Sequence, residues 1–254
     1  MKKTASGGSA AFIKGCEKKT LGVKISGTGK YQGKGDKTGQ ENDFTDLSQD
    51  EIRKNIHKNA SDLIRNRNGN IDKKVNQVYF NNKTTKFSDI NSILENGDTV
   101  IIKEGNFIID ENVDKQIGII VMKEGYNVLP ETLNGGNIIV TKDVSNINAY
   151  IYADGAIMSK DINGNYYKDE DLSIPLVING SVFSRNTIGG AVAGTGENKY
   201  ILPGGKKTND FKLAEKYDLN YLRKSILCGD EDFSLKINYN SGIQTNPPKG
   251  FTIQ

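Results

Sequence analysis

Four side chains near the middle of this 254-residue chain could bind or process a sugar: Tyr150, Tyr152, Asp154 and Arg185. A carboxylate can serve as a general acid or base, and an arginine can hold an anionic group. Tyrosine combines an apolar ring with a polar hydroxyl group, which suits a sugar ring and its hydroxyls. We therefore expect ligand binding at these residues, and cleavage only if an acid–base pair lies in one groove.

Two further tyrosines, Tyr166 and Tyr167, follow along the chain. Together with Tyr150 and Tyr152 they could form an exposed aromatic platform for sugar rings. The alternative is ordinary packing of aromatic side chains along one face of a sheet, which needs no ligand.

One loop resembles the start of a calcium-binding loop. Its oxygen-bearing side chains occupy loop positions 1, 3, 5 and 9, and they are Asp161, Asn163, Asn165 and Asp169. The loop departs from the pattern because its glycine is at position 4 and Leu172 replaces the glutamate of position 12. Calcium is thus a possible ligand, and no other cofactor is expected. A polar turn would use the same residues without a metal.

Lysine–acid pairs recur upstream with spacings of 20 and then 19 residues. The pairs are Lys103-Glu104, Lys123-Glu124 and Lys142-Asp143. If each pair ends one strand of a stack, the carboxylates lie about 5 Å apart and could hold Ca²⁺ or act as an acid–base pair. Because each acid follows a lysine, a solvated row of alternating charge is the competing interpretation.

A repeat of about 20 residues with one apolar run per repeat is typical of a solenoid. Within one run, Ala149, Ile151 and Ala153 share a face while Tyr150 and Tyr152 point the other way. The pattern predicts a mainly β fold, namely a right-handed parallel β-helix. An antiparallel sandwich with hairpins at the Asn-Gly and Asp-Gly turns is the alternative.

Two helices should accompany the strands. The first runs from about Ser48 to Asn66, because Ser48 and Glu51 match a capping box and an apolar face follows at helical spacing. We expect it to cap the open end of the stack, although its basic face could also meet an anionic polymer. The second lies between Asp210 and Arg223. The predicted segments are 1–45 (Gly/Lys-rich), 46–72 (capping helix), 73–190 (β-helix) and 191–254 (C-terminal packing segment).

Charge and cysteine content restrict the partners. With 34 basic and 31 acidic residues the net charge is +3, which does not favour nucleic acid. No apolar run is long enough for a transmembrane segment. Cys16 and Cys228 could form one disulfide in an exported protein, or remain two free thiols. A lone His57 cannot form a metal site by itself. The charged start without an apolar core suggests a segment of a longer secreted protein.

Several motifs together carry a family resemblance. They are Ile151–Ile157, Gly180–Gly190, Leu202–Gly205, Tyr217–Arg223 and Asn246–Phe251. As a set they resemble the C-terminal region of large uncharacterised surface proteins from small-genome, uncultivated bacteria. The resemblance implies export and display at the cell surface, and it supplies no catalytic residues.

The sequence thus predicts a non-catalytic extracellular or cell-surface β-solenoid with a structural or adhesive role and possible glycan binding. The alternative is a polysaccharide lyase or glycoside hydrolase that uses the face of the coil around Asp154 and Arg185. The absence of a recognisable acid–base constellation favours the non-catalytic interpretation.

Overall fold

A computed structural model gives the fold of the chain. It describes residues 23–26, 49–65, 71–123, 135–186, 200–201, 207–224, 233–239 and 246–251. The strands are β1 (Val23–Ser26), β2 (Lys73–Val75), β3 (Val78–Asn81), β4 (Thr85–Lys86), β5 (Thr99–Lys103), β6 (Phe107–Ile109), β7 (Val113–Met122), β8 (Ile138–Val140), β9 (Asn146–Ala153), β10 (Ile157–Ser159), β11 (Leu176–Phe183), β12 (Tyr200–Ile201), β13 (Lys207–Thr208) and β14 (Leu235–Tyr239). The α-helices are α1 (Gln49–Arg65), α2 (Phe87–Ile90) and α3 (Phe211–Glu215), and 3₁₀ turns lie at Asn91–Ile93, Asp169–Leu172 and Leu219–Leu222.

The strands form two main sheets. The first sheet has eight strands in the order β1-β14-β11-β9-β7-β5-β3-β2, and the second has four in the order β10-β8-β6-β4. From β3 to β10 consecutive strands alternate between the two sheets, and from β5 onward each of these strands pairs in parallel with the strand two places earlier. The pairing of β2 with β3 is antiparallel, as is the small β12–β13 hairpin.

The main core lies between the two sheets. On β9 it receives Ala149, Ile151 and Ala153, as the alternation predicted, and the second sheet contributes residues such as Phe107 and Ile138. These side chains are almost fully buried. Burial of aliphatic and aromatic side chains at this density supplies the main stabilising free energy, at about 1.5–3 kcal/mol for each large side chain.

Helices cover the outer faces of both sheets. The apolar face of α1, with Ile56 and Ala60 at its centre, packs on outward-facing side chains of β3, β5, β7 and β9. On the second sheet, Ala214 of α3 and the nearby Tyr217 pack against Met158 of β10. The molecule therefore has helical layers outside its sheets.

The predicted fold class is wrong. In place of a mainly β right-handed parallel β-helix, the structure is mixed α/β, with a first sheet that contains an antiparallel pair and helices that cover sheet faces. The alternative of an antiparallel sandwich is wrong too, because all pairs between the longer strands are parallel. The sequence period correctly indicated that successive strands return to parallel partners. The period gave no information about which elements cover the outward-facing side chains of these strands.

The first predicted helix is confirmed as α1, but it lies across the first sheet and does not close an end. In the C-terminal region, α3 occupies only Phe211–Glu215 and a 3₁₀ turn follows. The main core includes Leu219 and Ile237, so the segment 191–254 contributes directly to it. The division of the chain into four segments stays a prediction.

Strand β11 approaches β9 very closely at Gly180. Its φ is +156°, and a Cβ atom at this position would lie 1.9 Å from the carbonyl oxygen of Ala149. Only a residue without a side chain can occupy this position without displacing the neighbouring backbone.

Candidate functional site

The carboxylate of Asp154, immediately after β9, joins the first sheet to α1. Its side chain is 2% exposed and forms an ion pair with Arg53, whose Nη2 lies 2.9 Å from Oδ1. Four groups form hydrogen bonds with the Asp154 carboxylate. They are Arg53 Nε at 3.0 Å, His57 Nε2 at 2.9 Å, the Tyr152 hydroxyl at 2.7 Å and the Lys123 backbone N–H at 2.8 Å.

The local sequence explains this geometry. Arg53 and His57 are four residues apart, so α1 presents them on one face, directed at the end of β9. Sequence analysis selected Asp154 but missed Arg53 and His57 as its partners. The available signal was their helical spacing on an otherwise apolar face of α1.

The electrostatics of the site keep Asp154 ionised. Burial by itself raises the pKa of this carboxyl group. The hydrogen bond and Coulombic attraction of His57, with hydrogen bonds from Lys123 and Tyr152, outweigh burial and hold the pKa below its ordinary value. A carboxylate with a lowered pKa and this many donors is a poor general acid, because such an acid must carry a proton near neutral pH. We interpret this Asp154 cluster as a tether between helix and sheet.

Arg185 lies beside this cluster, and the contact that places it there is made by its backbone. Its main-chain N–H donates to the carbonyl oxygen of Gly155 at 2.9 Å, continuing the pairing at the end of β11. The guanidinium group that the structure places on Asp154 belongs to Arg53. A ligand site that uses Asp154 together with Arg185 stays a prediction.

The predicted aromatic platform is wrong for two of its four members. Tyr150 and Tyr152 face outward from β9, but they are 3% and 0% exposed because α1 and other aromatic side chains cover them. The ring of Tyr152 stacks on Phe183 at 5.4 Å between centroids, and Tyr150 lies 6.3 Å from Phe251. Tyr166 and Tyr167 remain half-exposed.

The predicted calcium loop is organised by its own hydrogen bonds. Asp161 Oδ1 accepts from the backbone N–H groups of Asn163 and Asn165, and its Oδ2 accepts from the Asn165 side chain. These bonds, with the Asn165 side chain as the largest cause, lower the pKa of Asp161. Asp169 begins the following 3₁₀ turn. Among the described residues no group of three or more His, Cys, Asp or Glu side chains could hold a metal, and calcium here stays a prediction.

The predicted carboxylate ladder is wrong for Glu104 and Asp143. Glu104 follows β5 in the first sheet, whereas Asp143 follows β8 in the second sheet, so they do not stack. The repeat in the sequence indicates where strands occur, but it does not indicate the sheet to which each strand belongs. Glu124 and both cysteines of the predicted disulfide, Cys16 and Cys228, lie outside the described residues.

A second polar feature, which sequence analysis missed, occupies the outer face of the first sheet beside α1. It consists of four asparagines on three neighbouring strands, and we call it the amide face: Asn146, Asn148, Asn179 and Asn238. Asn179 pairs in register with Asn148 on one side and Asn238 on the other. Recurrent asparagine at outward positions of predicted strands was the signal available.

The amides of this face form a continuous hydrogen-bond chain. Asn238 Nδ2 donates to Asn179 Oδ1 at 2.8 Å, and Asn179 Nδ2 donates to Oδ1 of Asn148 at 2.9 Å and of Asn146 at 3.1 Å. Asn148 Nδ2 then donates to the Asp114 carbonyl oxygen at 2.9 Å. All four asparagines are half-exposed, so the chain is aligned at the surface.

Comparisons with protein-family models, with curated proteins and with solved structures found no match for this chain. Within the described residues, no helix has the length and apolar character needed to cross a membrane. The resemblance to bacterial surface proteins therefore stays a prediction, and the functional argument rests on the geometry of the chain.

Proposed function

We propose that this protein is a non-catalytic binding module of the cell surface or extracellular space, with an adhesive or structural role, and that its amide face binds a glycan. The observation that carries the proposal is the in-register row of half-exposed asparagines on β9, β11 and β14. The extracellular location is supported only by the resemblance of the sequence motifs to those of surface proteins.

Amide groups suit sugar hydroxyls because both partners can donate and accept hydrogen bonds. A side-chain amide offers two N–H donors and two acceptor lone pairs. Asn148 uses one N–H toward Asp114 and one lone pair toward Asn179, which leaves one donor and one acceptor position. On the neighbouring strand, about 4.8 Å away, Asn179 uses both N–H groups within the row and keeps one acceptor position. A polymer with repeated hydroxyl groups could therefore contact several amides at once.

The same row fixes the amides before a ligand arrives. Asn179 donates twice and accepts once within the chain of hydrogen bonds, so its rotamer is determined by its neighbours. A side chain that is already ordered loses less conformational entropy on binding, which favours affinity.

The Asp154 cluster supports the non-catalytic part of the proposal. Its carboxylate is buried beside the first sheet, and its acceptor positions are occupied by Arg53, His57, Tyr152 and Lys123. A catalytic acid or base must reach a substrate proton at hydrogen-bond distance. This carboxylate instead holds α1 against the sheet.

A glycan-array screen of the purified chain, followed by mass analysis of the bound sugars, tests the proposal. We expect intact bound sugar, with affinity reduced about 2- to 10-fold in Asn148→Ala, since one neutral hydrogen bond contributes about 0.5–1.5 kcal/mol. Asn163→Ala, in the exposed Asp161 loop, is the matched control and should bind like the wild type.

Two outcomes would refute parts of this proposal. Shortened or unsaturated sugar products would show an enzyme and favour a lyase or hydrolase. Wild-type protein that binds no glycan, or an Asn148→Ala variant that binds as tightly as the wild type, would remove the amide face as a glycan site.

A further inference from the structure

A separate cluster on the outer side of the second sheet brings two lysines onto one tyrosine. Lys160 Nζ lies 4.3 Å and Lys216 Nζ 4.2 Å from the centroid of the Tyr166 ring. We call these three residues the lysine–tyrosine cluster. All three are half-buried, so the ammonium groups are partly removed from water.

Different parts of the fold build this cluster. Lys160 follows β10 and forms an antiparallel bridge with Tyr166, which brings the loop back across the second sheet. Lys216 is the C-cap residue of α3, and the adjoining Tyr217 packs in the same apolar cluster as Tyr166. The Tyr166 ring also meets Tyr221 edge-on at 6.3 Å. Because a helix end, a turn and a strand end fix the two lysines, their approach is a feature of the fold.

The charges of the cluster are not balanced by a carboxylate in the described contacts. Glu215, next to Lys216 in the chain, forms its ion pair with Lys224. Lys160 and Lys216 contact the ring of Tyr166, and burial followed by the charge of Lys216 lowers the pKa of Lys160. Two like charges held together in a partly desolvated place repel each other, and an anion beside both would relieve that repulsion.

We propose that the lysine–tyrosine cluster binds an anionic oxygen group, a carboxylate or sulfate, carried by an acidic glycan. An ammonium group donates up to three hydrogen bonds and binds such oxygens strongly because the bond is charge-assisted. The partly exposed ring of Tyr166 provides apolar surface for the adjoining sugar. This site is on the other sheet from the amide face, so it extends the proposed function and either site can fail alone.

Calorimetric titration with three probes tests this site: an oligogalacturonate, a sulfated oligosaccharide of similar length and a neutral cello-oligosaccharide. We expect one or both acidic probes to bind more tightly than the neutral one, with an affinity that falls as salt rises. The two acidic probes distinguish carboxylate from sulfate, and inorganic sulfate as competitor shows whether the anion alone suffices.

Three variants locate the binding. Lys216→Gln should weaken acidic-probe binding about tenfold or more, as expected for the loss of one charge-assisted hydrogen bond. Lys216→Glu should abolish it, while folding is supported by a new pair with Lys160. Lys212→Gln, on the exposed part of α3, is the matched control and should bind like the wild type. Asn148→Ala should also leave acidic-probe binding unchanged, which separates this site from the amide face.

The proposal is overturned if the acidic probes bind no better than the neutral probe, or if Lys216→Gln and Lys212→Gln reduce binding equally. Loss of acidic-probe binding in Asn148→Ala would move the anion site to the amide face and would also reject it.

Discussion

Replacement of Asp154 by asparagine is the most direct test of the tether between α1 and the first sheet. The substitution keeps the size of the side chain but removes its charge. It also places N–H groups where Arg53, His57 and Tyr152 require an acceptor. Because Arg53 is only 11% exposed in its side chain, its guanidinium group would lose a buried anionic partner.

The expected cost follows from these contacts. Loss of one partner of a buried ion pair costs about 3–5 kcal/mol. The 27% exposure of His57 allows some rehydration, which favours the lower half of that range. We expect the free energy of unfolding to fall by about 3–4 kcal/mol, a large share of the roughly 5–15 kcal/mol typical of a domain.

Equilibrium unfolding in urea, monitored by circular dichroism, measures this change. With an m-value of about 2–3 kcal/mol/M, the midpoint should move down by about 1–2 M. Asp143→Asn is the control, because Asp143 is a surface acid whose side chain is 72% exposed, and its midpoint should not move measurably. Tyr152→Phe removes one hydrogen bond and should cost about 1–2 kcal/mol, which keeps the test available if Asp154→Asn does not fold.

The pH dependence gives a second readout with a definite sign. The pKa of Asp154 is lowered in the folded state, so its contribution is fully present above the unfolded-state pKa of about 3.9. That contribution disappears as pH falls through the folded-state pKa. The stability difference between wild type and Asp154→Asn should therefore be present at neutral pH and shrink as the pH falls below about 4. A difference under about 1 kcal/mol at pH 7, or one that grows as the pH falls below about 4, would refute the tether.

Three further predictions concern the stability of the fold. Gly180→Ala should lower the free energy of unfolding in urea by more than about 3 kcal/mol, because the added Cβ atom meets backbone atoms. Gly97→Ala, also at positive φ but in open space, should lower it by about 1–2 kcal/mol. Equal losses in the two variants would contradict the close approach at Gly180. Arg223→Met should lower the thermal midpoint strongly, since the fully buried guanidinium donates to the backbone carbonyls of Thr141, Val144 and Leu222 and each orphaned carbonyl costs about 1–3 kcal/mol. An unchanged midpoint would show that water replaces the guanidinium group. Burial raises the pKa of Tyr79 to about 12, so the wild-type protein should lose stability as pH rises above about 10. An absorbance titration of Tyr79→Phe should lack one group that ionises near pH 12. A titration curve that this substitution leaves unchanged would contradict the assignment.

Local sequence signals predicted local structure well. The capping box and apolar spacing located α1 to within one residue at each end, because both signals depend on contacts within one helical turn. The alternation on β9 correctly assigned Ala149 and Ile151 to the core. The period of about 20 residues indicated parallel neighbours.

Contacts between distant segments were not predictable in the same way. Arg53 and Asp154 are 101 residues apart. The helical pattern around Arg53 does not predict where Asp154 lies, and the strand pattern around Asp154 does not predict where Arg53 lies. The burial of Tyr150 and Tyr152 depends on which sheet face receives α1, so the predicted aromatic platform failed there. The predicted stacking of Glu104 on Asp143 failed because strands with similar sequences enter different sheets.

Strand β9 shows how the fold separates stability from binding on a single sheet face. Its outward side chains change from Asn146 and Asn148 to Tyr150 and Tyr152 along the strand, and the change coincides with the edge of the surface covered by α1. The aromatic half is buried under the helix that Asp154 holds in place, while the amide half stays half-exposed. Asparagine under the helix would leave amide groups buried without partners, and tyrosine on the open half would expose apolar rings. Loss of the tether should therefore lower stability without changing the glycan affinity of molecules that remain folded, whereas loss of Asn148 should lower the glycan affinity.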